Sequence, residues 1–366
     1  MSRKVPHEYL CFQTPGSVDM ADLSFLQPGL VLQRGGEMTS QQVRDLQRSL
    51  RALGYLRGGI DGDFGSDTEL AVRSLQIDLL VNDGTSCGGD GAAPIGVLDF
   101  NRGRVPAVTG IVDQGLARCI ADMLDDPANV PTLPFAQDPK AENRKVGPTI
   151  GALPGQSVPV PFLIAILRQE SGLRHYREPG TGDEDSYLVV GLDRNDPARP
   201  ERITSRGYGV GQYTLFHHPP NPSEVATLML DVAKNVQQAI AGLRRKLDHF
   251  VAGPNADTTA DDRIAEHGRG PLRLCKYPVG DDRYLRDCRE CAFAAGTENI
   301  TPGVTPLYPG ADQTYHATQY YPDAQYRNVP IRRNLPCDWA YAARRYNGSG
   351  MNSYHYQLRI LLNLLE

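Results

Sequence analysis

The sequence predicts a mainly α-helical protein made of two helical domains with a small amount of β-structure. Apolar residues recur at three- and four-residue steps within residues 36–124 and 158–172, and again over residues 223–250. Each pattern places apolar side chains on one face of a helix. The stretch SYLVVGLDRND at residues 186–196 is expected to form a strand that runs into a turn.

Composition and charge limit the function classes. The 366 residues are enough for about two domains, and the formal net charge is −5. A chain of this charge is not attracted to nucleic acid or to an anionic membrane by its overall field. The N-terminus, MSRKVPHEYLCFQTPGS, lacks the apolar segment of a signal peptide, and no run reaches the roughly 18 apolar residues of a membrane helix. We therefore expect synthesis in the cytoplasm, no nucleic-acid partner and no membrane span.

The seven cysteines are an odd number, so at least one stays unpaired within the chain. Cys288 and Cys291, together with Cys275 and Cys337, could bind zinc through four thiolates. Disulfides formed in an oxidising compartment and unpaired buried thiols are the alternatives. Spacing alone does not decide among the three. Apart from this possible zinc site, we expect no metal and no cofactor.

Residues 36–124 predict three short helices. Thr39 or Ser40 can cap the first, and Gly54 supplies a left-handed stop. Ser66 and Glu69 form a capping-box pattern at the start of the second helix. The apolar face of the first helix consists of Val43, Leu46, Leu50 and Leu53.

The loop GGIDGDFG joins the first two helices. Asp61 and Asp63 have a spacing found in calcium-binding loops, but Val72 stands where such a loop needs its final acid. A tight turn is therefore the favoured interpretation. The third helix is expected to begin near Asp113.

This stretch resembles the peptidoglycan-binding domain type 1 family. LQRSLRALGYLRGGIDGDFGSDTELAVRSLQ carries the family's leucine and glutamine pattern, its LGY, its DGxFG turn and its closing LQ, and VTGIVDQGL repeats its last turn and helix. An insert at residues 81–107 departs from the family, and its Cys87 could pair with Cys119. The resemblance implies binding to cell-wall peptidoglycan, although such modules can also serve as spacers. The candidate residues in this wall-binding module are Asp61, Phe64 and Tyr55.

Residues 125–157 contain six prolines with glycine and charge and show no apolar period, which predicts a linker. The domain prediction is an N-terminal segment at 1–35, a wall-binding module at 36–124, the linker at 125–157, and a second domain at 158–366 with an insertion at 251–335.

The second domain opens with the helix in PFLIAILRQESGL. Pro159 and Pro161 suit its first turn, Gly172 can end it, and Glu170 falls in its last turn. The helix dipole and a low local dielectric both disfavour a negative charge there, so we expect a raised pKa for Glu170. A carboxyl group of this kind can act as a general acid near neutral pH.

Two further motifs follow, ITSRGYGVGQYT and PCDWAYAARRYNGSG. The glycines of the first would let backbone approach a ligand. Taken in order, the three motifs resemble the soluble lytic transglycosylase and goose-type lysozyme superfamily over residues 158–250 and 336–366, with Arg344 and Arg345 inserted in the last motif. The resemblance implies a lysozyme-like helical fold with some β-structure, Glu170 as catalytic acid, Gln212 lining a groove, and Tyr346 supporting Glu170 or the sugar. Further candidates for substrate contact are Ser171, Gly209, Tyr213 and Asn347.

A second carboxylate would decide the reaction type. An inverting hydrolase needs one to activate water, whereas a lytic transglycosylase can use a hydroxyl of its own substrate. The acidic stretch between Glu170 and Gly207 offers Asp193 first and Asp183 second, with a solvated loop as the alternative. The superfamily's acidic position after the glutamine is Tyr213 or Thr214 here, which departs from the goose-type pattern.

The resulting hypothesis is a modular muramidase that cuts the MurNAc to GlcNAc β-1,4 bond. A lytic transglycosylase and a non-catalytic wall-binding component are the alternatives. A chain without a signal peptide could reach the wall of a target cell as an injected effector, with a cognate immunity protein or a secretion-apparatus component as partner, or the wall of a phage host as an endolysin.

Overall fold

The computed structural model describes residues 23–86, 92–153, 158–252 and 338–347, and residues 356, 357, 359, 360, 363 and 364. The chain divides into two compact units. Each unit is assembled from three separate stretches of sequence, whereas the sequence predicted consecutive domains. The first unit contains the chain up to Lys140, Tyr176–Arg206 and Thr214–Leu230, and the second contains Ala141–His175, Gly207–Tyr213 and the chain from Asp231.

The first unit contains the three predicted helices, α1 (Ser40–Ala52), α2 (Ser66–Val81) and α3 (Gln114–Leu124). Thr39 caps α1 in a capping box with Gln42, and Gly54 follows α1 with a φ of +77°. Both features were predicted, because caps and left-handed stops depend on neighbouring residues alone.

The capping box predicted for α2 is wrong. Gly65 occupies the N-cap position of α2, and no side chain caps it, because Ser66 is already the first helical residue. Helix α3 begins near Asp113 as expected. Asp113 also caps it, and its Oδ1 accepts a hydrogen bond of 2.9 Å from the amide of Leu116.

The loop between α1 and α2 is a tight turn built on Gln47. The side-chain amide of Gln47 donates to Oδ1 of Asp61 at 2.8 Å, and its Oε1 accepts from the amide of Gly62 at 2.8 Å. Gly62 has a φ of +80°, which glycine adopts without strain. Within the described residues, no group of three or more His, Cys, Asp or Glu side chains could hold a metal ion.

Residues 125–153, the described part of the predicted linker, are more structured than a linker would be. They contain the short helices α4 (Pro139–Arg144) and α5 (Val146–Ala152), and the amide of Leu133 donates to the carbonyl of Ala52 at 2.7 Å. The buried apolar residues in this stretch fall into two short groups, too few in each to produce a sustained period in the sequence: Val130, Leu133 and Ala136, then Val146 and Ile150.

Three short strands pair in the order β1 (Val190–Asp193), β2 (Ser205–Tyr208) and β3 (Tyr213–Leu215). Strand β1 lies in the stretch where the sequence predicted one. Within the described residues the structure is otherwise mainly helical, as expected, and none of its helices has the length and apolar character needed to cross a membrane.

The second unit packs around α6 (Val160–Ser171), which starts after Pro159 and ends at Gly172 with a φ of +66°. The predicted apolar face of α6 is buried. The core also takes in α8 (Val232–Leu247) and α9 (Asp338–Tyr346), and it includes Trp339, the single tryptophan of the chain.

The long helix expected over residues 223–250 is interrupted. A short helix α7 (Pro222–Glu224) passes into a π-helical turn at Val225–Met229, and a new helix, α8, begins after Asp231. The side chain of Asp231 accepts from the amide of Lys234 and caps α8, so a local cap overrides the continuous apolar period.

Candidate functional site

Glu170 lies in the last turn of α6 and is half-buried. The phenol of Tyr356 donates a hydrogen bond of 2.6 Å to its Oε1. Tyr356 is buried in the core of the second unit. Proline at the start and glycine at the end of α6 fix its register, and the contact with Tyr356 fixes the orientation of the carboxyl group.

The negative charge of Glu170 affects the pKa of two tyrosines. Burial raises the pKa of Tyr356 well above its ordinary value, and the negative charge of Glu170 raises it further. Burial, followed by the charge of Glu170, likewise raises the pKa of Tyr346. Both phenols therefore remain protonated hydrogen-bond donors at neutral pH.

The end of α6 is joined to the turn at Tyr208–Gly211. The Oγ of Ser171 donates to the carbonyl of Val210 at 2.9 Å, and the phenol of Tyr346 donates to the carbonyl of Gly211 at 3.2 Å. Ser171 and Tyr346 thus fix the turn beside the acid, and neither of these hydrogen bonds ends on Glu170.

Gln212 closes the same turn. Its side-chain amide donates to the carbonyl of Gly209 at 2.8 Å, and its φ of +48° is unusual for a residue other than glycine. A non-glycine residue in this region stores strain that the surrounding contacts must hold. The glutamine predicted to line a groove is therefore bonded to its own turn in this structure.

The glycines of GYGVGQ let protein elements approach each other. A Cβ on Gly209 would lie 2.6 Å from Cε1 of His175, and one on Gly211 would lie 3.0 Å from the Cβ of Ala239. A Cβ on Gly207 would lie 2.9 Å from Oε1 of Gln212. The sequence predicted close approach at these positions, and the atoms that a Cβ would meet there belong to the protein itself. Contact of this backbone with a ligand stays a prediction.

Two residues that the sequence did not single out hold this turn. His175 accepts a hydrogen bond of 3.2 Å at Nδ1 from the amide of Val210. Asn235 accepts from the amide of Gly211 at 2.7 Å and donates to the carbonyl of Tyr208 at 2.9 Å. Both side chains are fully buried. Asn235 interrupts the apolar face of α8, which is a signal that the sequence does carry, whereas nothing near His175 marks it.

The candidate second acids belong to the first unit. Asp193 is exposed at the end of β1, and its Oδ2 accepts from the hydroxyl of Ser205 at 2.8 Å. Oδ1 of Asp183 accepts from the amide of Ile60 at 2.8 Å and from that of Asp185 at 2.9 Å. Glu170 belongs to the second unit, so the pairing of either acid with it stays a prediction.

The remaining candidates differ in exposure. Tyr213 is half-buried at the start of β3, and Asn347 is exposed just after α9. Asp61 is exposed in its turn, whereas Tyr55 and Phe64 are buried in the module core at 0% and 5% exposure. The rings of Tyr55 and Phe64 therefore support the module from inside and present no open face to a sugar.

Residues 39–78 match a family model described as "Putative peptidoglycan binding domain". The match supports a peptidoglycan-binding module at these residues. This match covers α1, the turn and most of α2, and it supports peptidoglycan as a partner and an association with the cell wall. Comparison with curated proteins and with solved structures found no significant match.

The cysteine predictions fall mostly outside the described residues, which contain neither Cys87 nor the cysteines at 275, 288, 291 and 337. Cys119 is a buried free cysteine of α3. Burial raises the pKa of its thiol to about 11, so the thiol stays protonated and unreactive at neutral pH.

Proposed function

We propose that this protein cleaves the glycan strands of peptidoglycan at the MurNAc to GlcNAc β-1,4 bond. The contact between Glu170 and Tyr356 is the observation that carries the proposal. A carboxyl group at the end of an apolar helix, held by a buried phenol, is oriented as a general acid must be. The proposal also agrees with the peptidoglycan-binding module in the same chain.

In the proposed reaction, Glu170 protonates the glycosidic oxygen as the bond from that oxygen to the anomeric carbon of MurNAc breaks. The leaving GlcNAc takes the proton as a hydroxyl group. Tyr356 would position the acid, while His175, Asn235, Ser171 and Tyr346 would hold the neighbouring turn.

The fate of the MurNAc carbon separates two reactions. If water attacks, with Asp193 or Asp183 as the second carboxylate, the product is a reducing end. If the 6-hydroxyl of MurNAc attacks, the product is a 1,6-anhydro ring and no second carboxylate is needed. We favour Asp193 over Asp183 as the water-activating base, because the side chain of Asp193 is exposed. Oδ1 of Asp183 already accepts two backbone hydrogen bonds.

The wall-binding module would act by tethering. Attachment to the wall raises the local concentration of glycan near Glu170 without adding contacts at the reacting bond. We propose that the protein acts in the periplasm or cell wall of a target cell or phage host. The proposed route is delivery as a secreted effector, with an immunity protein as its partner, and release as an endolysin is the alternative.

Digestion of purified sacculi, followed by mass spectrometry with and without borohydride reduction, tests the proposal. Reducible MurNAc ends would identify a muramidase, and anhydro ends a lytic transglycosylase. Glu170→Gln should abolish either product. Products unchanged by Glu170→Gln would exclude Glu170 as the acid, and the absence of products from the wild-type protein would favour a non-catalytic wall-binding component.

A further inference from the structure

Within the first unit, an acidic segment of the chain lies on the peptidoglycan-binding module. The segment is Gly182–Asp185, and the part of the module beneath it is α1 with the loop that follows α1. The amide of Ile60 donates to Oδ1 of Asp183 at 2.8 Å, and the carbonyl of Ile60 accepts from the amide of Glu184 at 3.2 Å. Both backbone groups of Ile60 are therefore bonded to this segment, as they would be to a bound acidic peptide.

Two arginines complete the contact. Arg44 and Arg48 lie one turn apart on α1, and the carboxylate of Glu184 lies 3.4 Å from Nη1 of Arg44 and 2.5 Å from Nη2 of Arg48. Arg44 also donates to the carbonyl of Gly182 at 3.1 Å. Two guanidinium groups and one backbone amide thus face the carboxylates of Asp183 and Glu184, which is an arrangement suited to recognising acidic peptides. Asp45 of α1, 2.8 Å from Nη1 of Arg48, holds that guanidinium group in place.

The segment is held firmly at one end and weakly at the other. Asp185 is fully buried, and its Oδ2 lies 2.7 Å from Arg51 and 2.6 Å from Arg177. Removing one partner from a buried ion pair shifts a folding equilibrium by about a hundredfold or more. The side chain of Glu184 is 48% exposed, and an exposed pair shifts an equilibrium by at most about fivefold. The side chain of Glu184 can therefore leave the two arginines while Asp185 remains in place, and the release of Asp183 additionally requires its 2.8 Å hydrogen bond from the Ile60 amide to break.

We propose that Arg44, Arg48 and the Ile60 amide form a binding site for the carboxylates of peptidoglycan stem peptides. Asp183 and Glu184 occupy this site in the free protein and compete with the wall. All three site residues lie in the stretch that matches the peptidoglycan-binding family, and the proposal rests on wall binding. It does not depend on the cleavage assigned to Glu170. A competitor within the chain lowers the apparent affinity for the wall, in proportion to the fraction of molecules whose site is left free.

Co-sedimentation with purified sacculi tests this proposal, in a Glu170→Gln background so that the wall stays intact. Asp183→Asn with Glu184→Gln removes two of the three negative charges of the segment but keeps the oxygen that accepts from Ile60. We expect this variant to bind about three to ten times more tightly. Arg44→Gln with Arg48→Gln should bind several times more weakly, and Arg118→Gln, on the exposed face of α3, should match the parent.

A soluble stem tripeptide and its carboxyl-amidated form identify the ligand. The acidic tripeptide should displace the protein from sacculi, and the amidated form should not. Equal displacement by both peptides, or unchanged or weaker binding of the Asp183 and Glu184 variant with its thermal unfolding unaltered, would overturn the proposal. Failure of every variant to bind would overturn the wall-binding assignment as well. Cleavage is judged separately, from the products of the protein with Glu170 intact.

Discussion

The phenol of Tyr356 donates a hydrogen bond of 2.6 Å to Glu170, a residue 186 positions earlier in the chain. A donor at this carboxylate stabilises its charged form and restricts its orientation. Tyr356 therefore sets the orientation of the carboxyl group, and with it the direction in which Glu170 can donate a proton.

Tyr356→Phe should lower the turnover number for sacculus digestion by about ten- to a hundredfold, as expected for losing a hydrogen bond to a charged group. KM should change little, because the phenol positions the acid and not the glycan. Loss of the donor should also move the alkaline limb of the pH profile upward, since the protonated carboxyl group then persists to higher pH. Steady-state kinetics over a pH series measures both effects, with Tyr341→Phe as the buried control on α9. An unchanged pH profile would contradict the positioning role.

Gly209→Ala should destabilise the second unit by about 2 kcal/mol or more. The new Cβ would lie 2.6 Å from His175, and the φ of +69° is strained for alanine. Gly147→Ala is a matched control in α5 of the same unit, because its Cβ meets nothing within 4 Å and alanine favours a helix by about 1 kcal/mol over glycine. In urea denaturation, Gly209→Ala should lower the free energy of unfolding and Gly147→Ala should raise it. Equal free energies of unfolding for the two variants would show that the turn accommodates the new Cβ without destabilisation.

Stability should fall as the pH drops below about 6.5, because of His218. Burial lowers the pKa of His218 well below its usual value, and the positive charge of Arg206 lowers it further. The edge of its ring also packs on Tyr55, with 5.1 Å between centroids. Below the unfolded pKa, the unfolded chain binds a proton that the folded chain cannot. The free energy of unfolding then falls by up to about 1.4 kcal/mol per pH unit.

Denaturant unfolding between pH 7.5 and 4.5 checks this dependence. His218→Leu should flatten the acid slope, whatever its effect on stability at neutral pH. The control His249→Gln removes an exposed histidine and should leave the slope as it is. An identical slope in His218→Leu would assign the acid sensitivity to other groups.

Features that depend on near neighbours in the chain could be predicted from the sequence. The leucine spacing of α1, the Thr39 cap and the Gly172 stop follow from contacts three or four residues apart, so the wall-binding module and the placement of Glu170 at a helix end were predictable. The helix expected over residues 223–250 was predicted wrongly, because its apolar period is continuous in the sequence. In the structure, the side chain of Asp231 caps a new helix and divides the segment.

The tertiary structure decided which residues surround Glu170 and what the acidic stretch contacts. Tyr356, His175 and Asn235 meet their partners through packing across distant parts of the chain, and no local pattern encodes such pairings. Asp183 could have been a candidate base or a solvated loop residue by sequence. Only the folded chain places its carboxylate against the Ile60 amide, because that contact spans 123 positions and exists only after the first unit has packed.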